Sequence, residues 1–264
     1  MQTLTDKLVA EKENGVGWIT FNNPARHNAM SFEMWQGMAE VLNAYAVDPE
    51  VRVVILKGAG EKAFVAGADI SQFKERRTGP EAVAEYNAMA DSANKALVNC
   101  PKPTIAMVRG YCIGGGTGIA VACDIRIASE DAKFGVPAAK LGLGYRFVGI
   151  KRLCDLVGPQ FAAEIFYTAR QFTASEALAM NLINRMLPVA ELEKYVRDYA
   201  TTIVNNAPLT IAAVKRALLE YVKDPADRDL DGTQKMVDAC FASQDYIEGQ
   251  TAFMEKRKPV FKGK

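Results

Sequence analysis

The stretch Gly110-Tyr111-Cys112-Ile113-Gly114-Gly115-Gly116-Thr117-Gly118-Ile119-Ala120-Val121-Ala122-Cys123-Asp124 decides how the rest of the chain is read. An apolar run over residues 104–108 leads into it, glycines follow, and an Ala/Val/Ile segment suited to a helix comes next. A strand that breaks on glycine and turns into a helix leaves backbone N–H groups pointing out of the helix start. The helix dipole behind those groups favours negative charge in front of them. Such a turn suits a phosphate, or an oxyanion that develops during a reaction. The helix itself offers no acid or base until Asp124, at its far end.

Outward from this turn, the first half alternates strand and helix signals. Residues 16–22 read as a strand ending in the turn Asn22-Asn23-Pro24. Ser31 is placed to cap a helix reaching residue 46, with Met34, Met38, Val41, Leu42 and Tyr45 on one face. Asp48-Pro49 stops it. Residues 51–57, 104–108 and 124–128 read as buried strands, and residues 80–99 as a helix. This spacing predicts parallel crossover units in an α/β fold. A second small-residue turn, Ala66-Gly67-Ala68, follows another short apolar run. Such turns commonly just make room, but two of them in one parallel-sheet half can each give an N–H to one oxygen.

The second half reads as mostly helical. Pro159 fits a first helical position. Thr173-Ala174-Ser175-Glu176 is a capping box ahead of residues 177–182. Residues 189–205, 208–222 and 234–255 carry helical periodicity, with Gly249 read as a break and residues 224–231 as a charged loop. The tail from Glu255 to Lys264 is basic and reads as solvated, or as a contact for a phosphate-rich ligand. Residues 1–200 are expected to form the core, with residues 201–264 as a helical region that the family resemblance described below implies is used for oligomerisation.

Composition excludes several classes. The 264 residues carry 32 basic and 31 acidic side chains, which gives no electrostatic basis for binding nucleic acid or an anionic membrane. No apolar run approaches the roughly 20 residues of a membrane helix. The first thirteen residues are polar and charged, unlike a signal peptide. Five cysteines without a C-x-x-C pair read as reduced thiols of a cytoplasmic protein. One histidine and no cysteine cluster argue against a transition-metal site. The dinucleotide pattern fails because Ile119 stands where its last glycine belongs, and neither a P-loop nor a nucleophile elbow occurs. His27 reads as a loop residue.

In order and spacing, several motifs resemble the enoyl-CoA hydratase/isomerase (crotonase) family over essentially the whole length. They are Asn23-Pro24 with Asn28-Ala29, residues 63–70, Pro101-Lys102-Pro103, Gly114-Gly115-Gly116, Cys123-Asp124, Phe134-Gly135-Val136-Pro137, Leu141-Gly142, the Thr173 helix and Lys256-Arg257-Lys258-Pro259. The resemblance implies a spiral of ββα crossover units with a C-terminal helical trimerisation region, assembled as a homotrimer or dimer of trimers. It implies an acyl-CoA thioester as partner, with coenzyme A entering as part of the substrate and no separate cofactor. Ala68 and Gly115 then supply the two N–H donors for the thioester oxygen. Arg26, Asn28, Ala29 and the turn Ala66, Gly67, Ala68, Asp69 and Ile70 lie along the bound CoA, and Lys256 reaches a neighbouring subunit's CoA.

The chain departs from the family pattern where two glutamates are expected, one to deprotonate water and one to protonate the α-carbon. Gly118 and Ala138 occupy those positions. Tyr145 and Arg146 are the residues left to act on the acyl group. Their segment, residues 141–150, is similar to the methylmalonyl-CoA decarboxylase branch, where the matching tyrosine contacts a carboxylate. Arg146 suits bidentate binding of a carboxylate, although both side chains also read as simple loop packing. What the resemblance implies is therefore an enoyl-CoA hydratase/isomerase-family lyase that stabilises a thioester enolate in a backbone oxyanion hole, with a methylmalonyl-CoA-decarboxylase-like enzyme acting on a carboxylated acyl-CoA and a catalytically silent CoA-ester binder as the alternatives.

Overall fold

The computed structural model describes residues 5–69 and 79–264. Its strands are β1 (Leu8–Glu13), β2 (Val16–Phe21), β3 (Val53–Gly58), β4 (Ala63–Val65), β5 (Thr104–Val108), β6 (Tyr111–Ile113), β7 (Ile125–Ser129), β8 (Lys133–Gly135), β9 (Phe172–Thr173) and β10 (Arg185–Leu187). Six of them form one sheet in the order β1-β2-β3-β5-β7-β10. The β1–β2 pair is antiparallel, and every later pair in that sheet is parallel. The expected crossover pattern is thus present. Val53, Val54, Ile55 and Leu56 are all fully buried, as suits a strand covered on both faces.

One face of the sheet meets the Phe32–Val47 helix. Ser31 Oγ accepts from Met34 N at its start, and the five apolar positions of the sequence pattern are all buried. The other face meets the Leu192–Val204 helix, where Leu192, Val196 and Ala200 pack on Val16, Trp18, Val53, Ile55 and Ile105. This helix runs unbroken through residue 200.

A second sheet, β4-β6-β8-β9, holds the two glycine turns. Its strands have only two or three residues, too few for a period to show in sequence. β8 is secured at its far edge by β9 and the capping box that follows. Thr173 Oγ1 accepts from Glu176 N, and the Glu176 carboxylate accepts from Thr173 N at 2.7 Å. The helix this box opens is Ala174–Ala179, shorter than the expected run to 182. Arg170 bonds Glu176 and Glu164 while stacking over Phe172 at 3.7 Å.

Two expectations for the C-terminal half need correction. Gly249 does not break a helix; it lies inside Gln244–Met254, with the Phe261 ring 3.6 Å from where its β-carbon would sit. The glycine admits the returning tail. The break falls earlier, at Ala242-Ser243, where Ser243 caps a new helix. The basic tail is also not simply solvated. Asp245 accepts from Lys262 N and Gly263 N, and Arg52 donates to Phe261 O. Pro159 does begin a helical segment, after a non-helical Gly158.

Lys215, in the Pro208–Tyr221 helix, is buried and ties this region to the sheet. Its ammonium reaches Asp124 Oδ2 at 2.8 Å and Lys102 O at 2.7 Å. Between the last three helices opens an apolar groove of about 680 Å³, with Leu209, Val214, Val237, Phe241, Tyr246 and Phe253 among its walls. Among the described residues no helix is long and apolar enough to cross a membrane.

The Glu176 cap gives a pH-dependent contribution. Its hydrogen bonds to Thr173 N, Arg170 and the Thr173 hydroxyl lower its pKa from 4.5 to about 2. A lowered folded-state carboxyl stabilises above the unfolded value and loses that contribution as pH falls through the folded one. Thermal unfolding should show Glu176→Gln less stable than wild type at neutral pH, with the gap closing between pH 4.5 and about 2. A gap unchanged across that window would refute the assignment.

Candidate active site

The first glycine turn follows β6. Gly114 sits at φ +56°, ψ −112°, a conformation open chiefly to glycine, and donates its N–H to Gly135 O at 2.7 Å. The Gly115–Ala122 helix begins immediately after it. Thr117 Oγ1 bonds Cys112 O at 2.7 Å and Gly135 O at 3.0 Å, so the helix start is locked to β6 and β8. At Gly116 a β-carbon would overlap the Val65 carbonyl oxygen, so only glycine lets the helix approach β4 this closely.

The second turn follows β4. Met30 pairs with Ala68 in a parallel bridge, with Met30 N bonding Gly67 O at 2.8 Å and Asp69 N bonding Met30 O at 2.9 Å. In this pattern Met30 bonds the residues on either side of Ala68, so the Ala68 N–H points away from Met30. The Gly67 carbonyl carbon, bonded to Ala68 N, lies 3.9 Å from the β-carbon position of Gly115. The Gly67–Ala68 peptide and the helix start therefore stand side by side. Gly115, at the first helical position, has no carbonyl one turn before it. Among the described residues neither the Ala68 nor the Gly115 N–H meets an acceptor.

At the start of β4, away from the N–H pair, lies a cavity of about 340 Å³ lined by Pro24, His27, Asn28, Ala59, Glu61, Lys62 and Ala63. Asn28 is fully buried; its side chain accepts from Asn23 N and donates to Ala59 O and Ala63 O. It braces the turn that carries Arg26 and Ala29. Arg26 is exposed and Ala29 buried. Ala66 N donates to His27 O at 3.0 Å, joining that turn to the Ala66–Ala68 segment. His27 is exposed and meets Tyr111 edge-on at 5.9 Å. Asp69 is buried, and Ile70 lies outside the described residues. Lys256 is exposed just after the last helix.

Gly118 follows Gly115 by one helical turn, on the same face. A β-carbon there would lie 4.0 Å from Tyr145 Oη. The Tyr145 ring meets Phe166 edge-on at 4.7 Å and lies across Gly149. Among the described residues its hydroxyl has no hydrogen-bond partner. Desolvation by the surrounding protein pushes its pKa up, against a smaller opposing pull from Arg146. Arg146 itself is held bidentately by Asp91 on the Pro80–Asn99 helix, at an exposed position. Ala138 is buried in the one-turn helix Pro137–Leu141. Asp124 is committed to Thr104 and Lys215.

The family profile described as Enoyl-CoA hydratase/isomerase matches residues 11–264. The chain belongs to the enoyl-CoA hydratase/isomerase family. It is 38% identical to a short-chain-enoyl-CoA hydratase of Clostridium acetobutylicum, over 96% of each chain. It is 36% identical to a carnitinyl-CoA dehydratase of Escherichia coli, over 99% of this chain and all of that one. The crystal structure of an enoyl-CoA hydratase/carnithine racemase from Magnetospirillum magneticum superposes with a TM-score of 0.92 at 35% identity, covering 98% of this chain and 97% of that one. The two sheets and surrounding helices are thus the mixed α/β fold of the enoyl-CoA hydratase/isomerase family.

Two residues near the N–H pair escaped the sequence reading. Trp35 Nε1 donates to Tyr86 Oη at 2.9 Å, and Tyr86 Oη donates to Met30 O at 3.3 Å. Both aromatic residues are buried. Trp35 lies between Met34 and Met38 in a helix whose apolar face is legible, but its partner is 51 residues away.

Two of the three glycines in the Gly115–Ala122 helix, Gly116 and Gly118, should respond oppositely to alanine. Gly116→Ala forces a methyl group onto backbone and is expected to cost about 3 kcal/mol or to prevent folding. Gly118→Ala meets only the Tyr145 hydroxyl at ordinary contact distance and should be neutral, or stabilising by up to about 1 kcal/mol through helix propensity. Chemical denaturation of both variants checks this; equal behaviour would mean the helix does not approach β4 as described.

Proposed function

We propose that the chain acts on acyl-CoA thioesters and stabilises a thioester enolate between the Ala68 and Gly115 N–H groups. The observation that carries this reading is the pair of N–H groups on adjoining turns, one at a helix start, that meet no acceptor among the described residues. An enolate oxygen between them would accept two hydrogen bonds and face the positive end of the helix dipole. In other enzymes, loss of one such donor costs about 3–4 kcal/mol. Family membership and relatives named as a hydratase and a dehydratase support the substrate class. The CoA runs past Arg26, Asn28, Ala29 and the Ala66–Asp69 turn and needs no separate cofactor. We place this chemistry in the cytoplasm.

Neither Gly118 nor Ala138 can move a proton, so addition of water through paired carboxylates is not the chemistry favoured here. The polar group facing the Gly118 position is the Tyr145 hydroxyl. A tyrosine hydroxyl keeps its proton at neutral pH, so this partly exposed group acts as a donor. This unpartnered donor favours a second, more specific reading, decarboxylation of a carboxylated acyl-CoA. The bond from the α-carbon to the carboxylate breaks, CO₂ leaves, and the bond's electron pair becomes the enolate. The enolate then takes a proton from water. Arg146 can join only by exchanging Asp91 for a substrate carboxylate.

Assembly is part of the proposal. The apolar groove and exposed Leu218, Tyr221, Phe253 and Met254 leave much apolar surface on the 201–264 region. We place these faces between subunits of a homotrimer or dimer of trimers, with Lys256 directed to a neighbour's CoA. Light scattering at micromolar concentration should give a trimer or hexamer; a stable monomer would contradict it.

Turnover assays test the chemistry. Crotonyl-CoA hydration should be slow, because general acid–base groups contribute about 10²–10⁴-fold each and both are missing. CoA-ester binding measured by calorimetry should persist. Tyr145→Phe should lower turnover of a malonyl-type CoA ester while sparing affinity for simple acyl-CoAs. Rapid crotonyl-CoA hydration insensitive to Tyr145→Phe would refute the decarboxylation reading. Binding without turnover of any ester would identify a silent CoA-ester binder.

A further inference from the structure

We infer that Trp35 and Tyr86 are positioning residues that set the Ala68 and Gly115 N–H groups relative to one another; this rests on the enolate reading above. One indole is linked to both sides of the pair, by packing at Gly115 and through Tyr86 to Met30 on the Ala68 side. Trp35 Cζ2 lies 3.6 Å from the β-carbon position of Gly115, so the ring packs on the helix start. Its N–H, meanwhile, goes to Tyr86 Oη at 2.9 Å.

The direction of this bond matters. An indole nitrogen can only donate, so Tyr86 must accept from it, and its own hydroxyl proton is left to donate elsewhere. That proton goes to Met30 O at 3.3 Å. Accepting from the indole polarises the hydroxyl and strengthens its outgoing bond. Met30 O also accepts from Asp69 N at 2.9 Å, so both lone pairs of this carbonyl are used. Met30 is the residue bridged to Ala68. Fixing its carbonyl from two directions fixes the plane of the bridge, and with it the direction of the Ala68 N–H.

Met30, Trp35 and Tyr86 are all buried, so the relay is shielded from competing water. It joins three separate pieces of chain: the segment before the first long helix, that helix, and the Pro80–Asn99 helix. Packing alone would not need the hydroxyl. A phenyl ring at 86 fills the same space, lacks the proton for Met30, and leaves the indole N–H without its acceptor.

The test uses the full chain and acetoacetyl-CoA, whose enolate absorbs in the near ultraviolet. Wild type is expected to show bound enolate. Tyr86→Phe should reduce the enolate fraction at fixed pH up to about tenfold, as loss of one buried hydrogen bond allows. Affinity for free CoA should stay unchanged. Trp35→Phe should act in the same direction, and the double variant should be little worse than Tyr86→Phe alone, because both act through one relay. In the ligand-free chain, hydrogen exchange at the Met30 and Asp69 amides should accelerate in Tyr86→Phe. An unchanged enolate fraction together with unchanged exchange overturns the inference, as does full additivity of the two substitutions. If wild type forms no enolate, the enolate reading fails, and amide exchange alone decides whether the relay positions the turn. Trp35→Phe supplies that measurement if Tyr86→Phe does not fold.

Discussion

The contact between Gly116 and the Val65 carbonyl is the constraint on which the site depends. It brings a helix start directly against the end of a strand in the neighbouring crossover unit. Any side chain at 116 would separate them. With the helix seated there, Gly115 and the Gly67–Ala68 peptide become neighbours although they belong to different strand–turn segments. The hydrogen bonds around this contact then hold it. Gly114 and Thr117 both bond the Gly135 carbonyl, and Met30 ties the opposite side.

The division of labour between the two sheets follows. The six-stranded sheet buries apolar surface on both faces and supplies stability. The four-stranded one is small, with strands of two or three residues, and its purpose is placement. Its short strands end where the turns are needed. Charge is used sparingly near the turns: the N–H pair consists of backbone dipoles, while Asp124 and Arg146 are already matched by Lys215 and Asp91. Among the described residues, the side-chain group left without a hydrogen-bond partner beside the N–H pair is the Tyr145 hydroxyl.

The parts legible in sequence were those governed by local chemistry. Val53 to Leu56 and Thr104 to Val108 announced buried strands by composition, and Ser31 and Thr173 announced helix starts by their capping hydroxyls. The glycine turns were legible because a strand, a glycine run and a helix-forming segment follow one another directly. The small sheet was not, since β9 has two residues and pairs with β8 across a long intervening helix. Gly249 misled because a glycine that makes room for Phe261 looks locally like one that ends a helix. Arg146 reads as an open cation until the fold brings Asp91 to it across 55 residues, and the Trp35–Tyr86 bond is equally remote in sequence.

The ion pair between buried Lys215 and exposed Asp124 constrains how this chain can drift. Lys215 belongs to the helical region beyond the core, whereas Asp124 lies where the glycine-turn helix hands over to β7. Without Asp124 the buried Lys215 ammonium loses its counter-charge and keeps only the Lys102 carbonyl, whereas without Lys215 the exposed Asp124 carboxylate keeps Thr104. A step at Asp124 therefore weighs more heavily on this contact than one at Lys215, an asymmetry that a double-mutant cycle would read directly. Lys215 thus joins the outer helices to the segment beside the helix that starts at Gly115, so a change at one end is felt at the other.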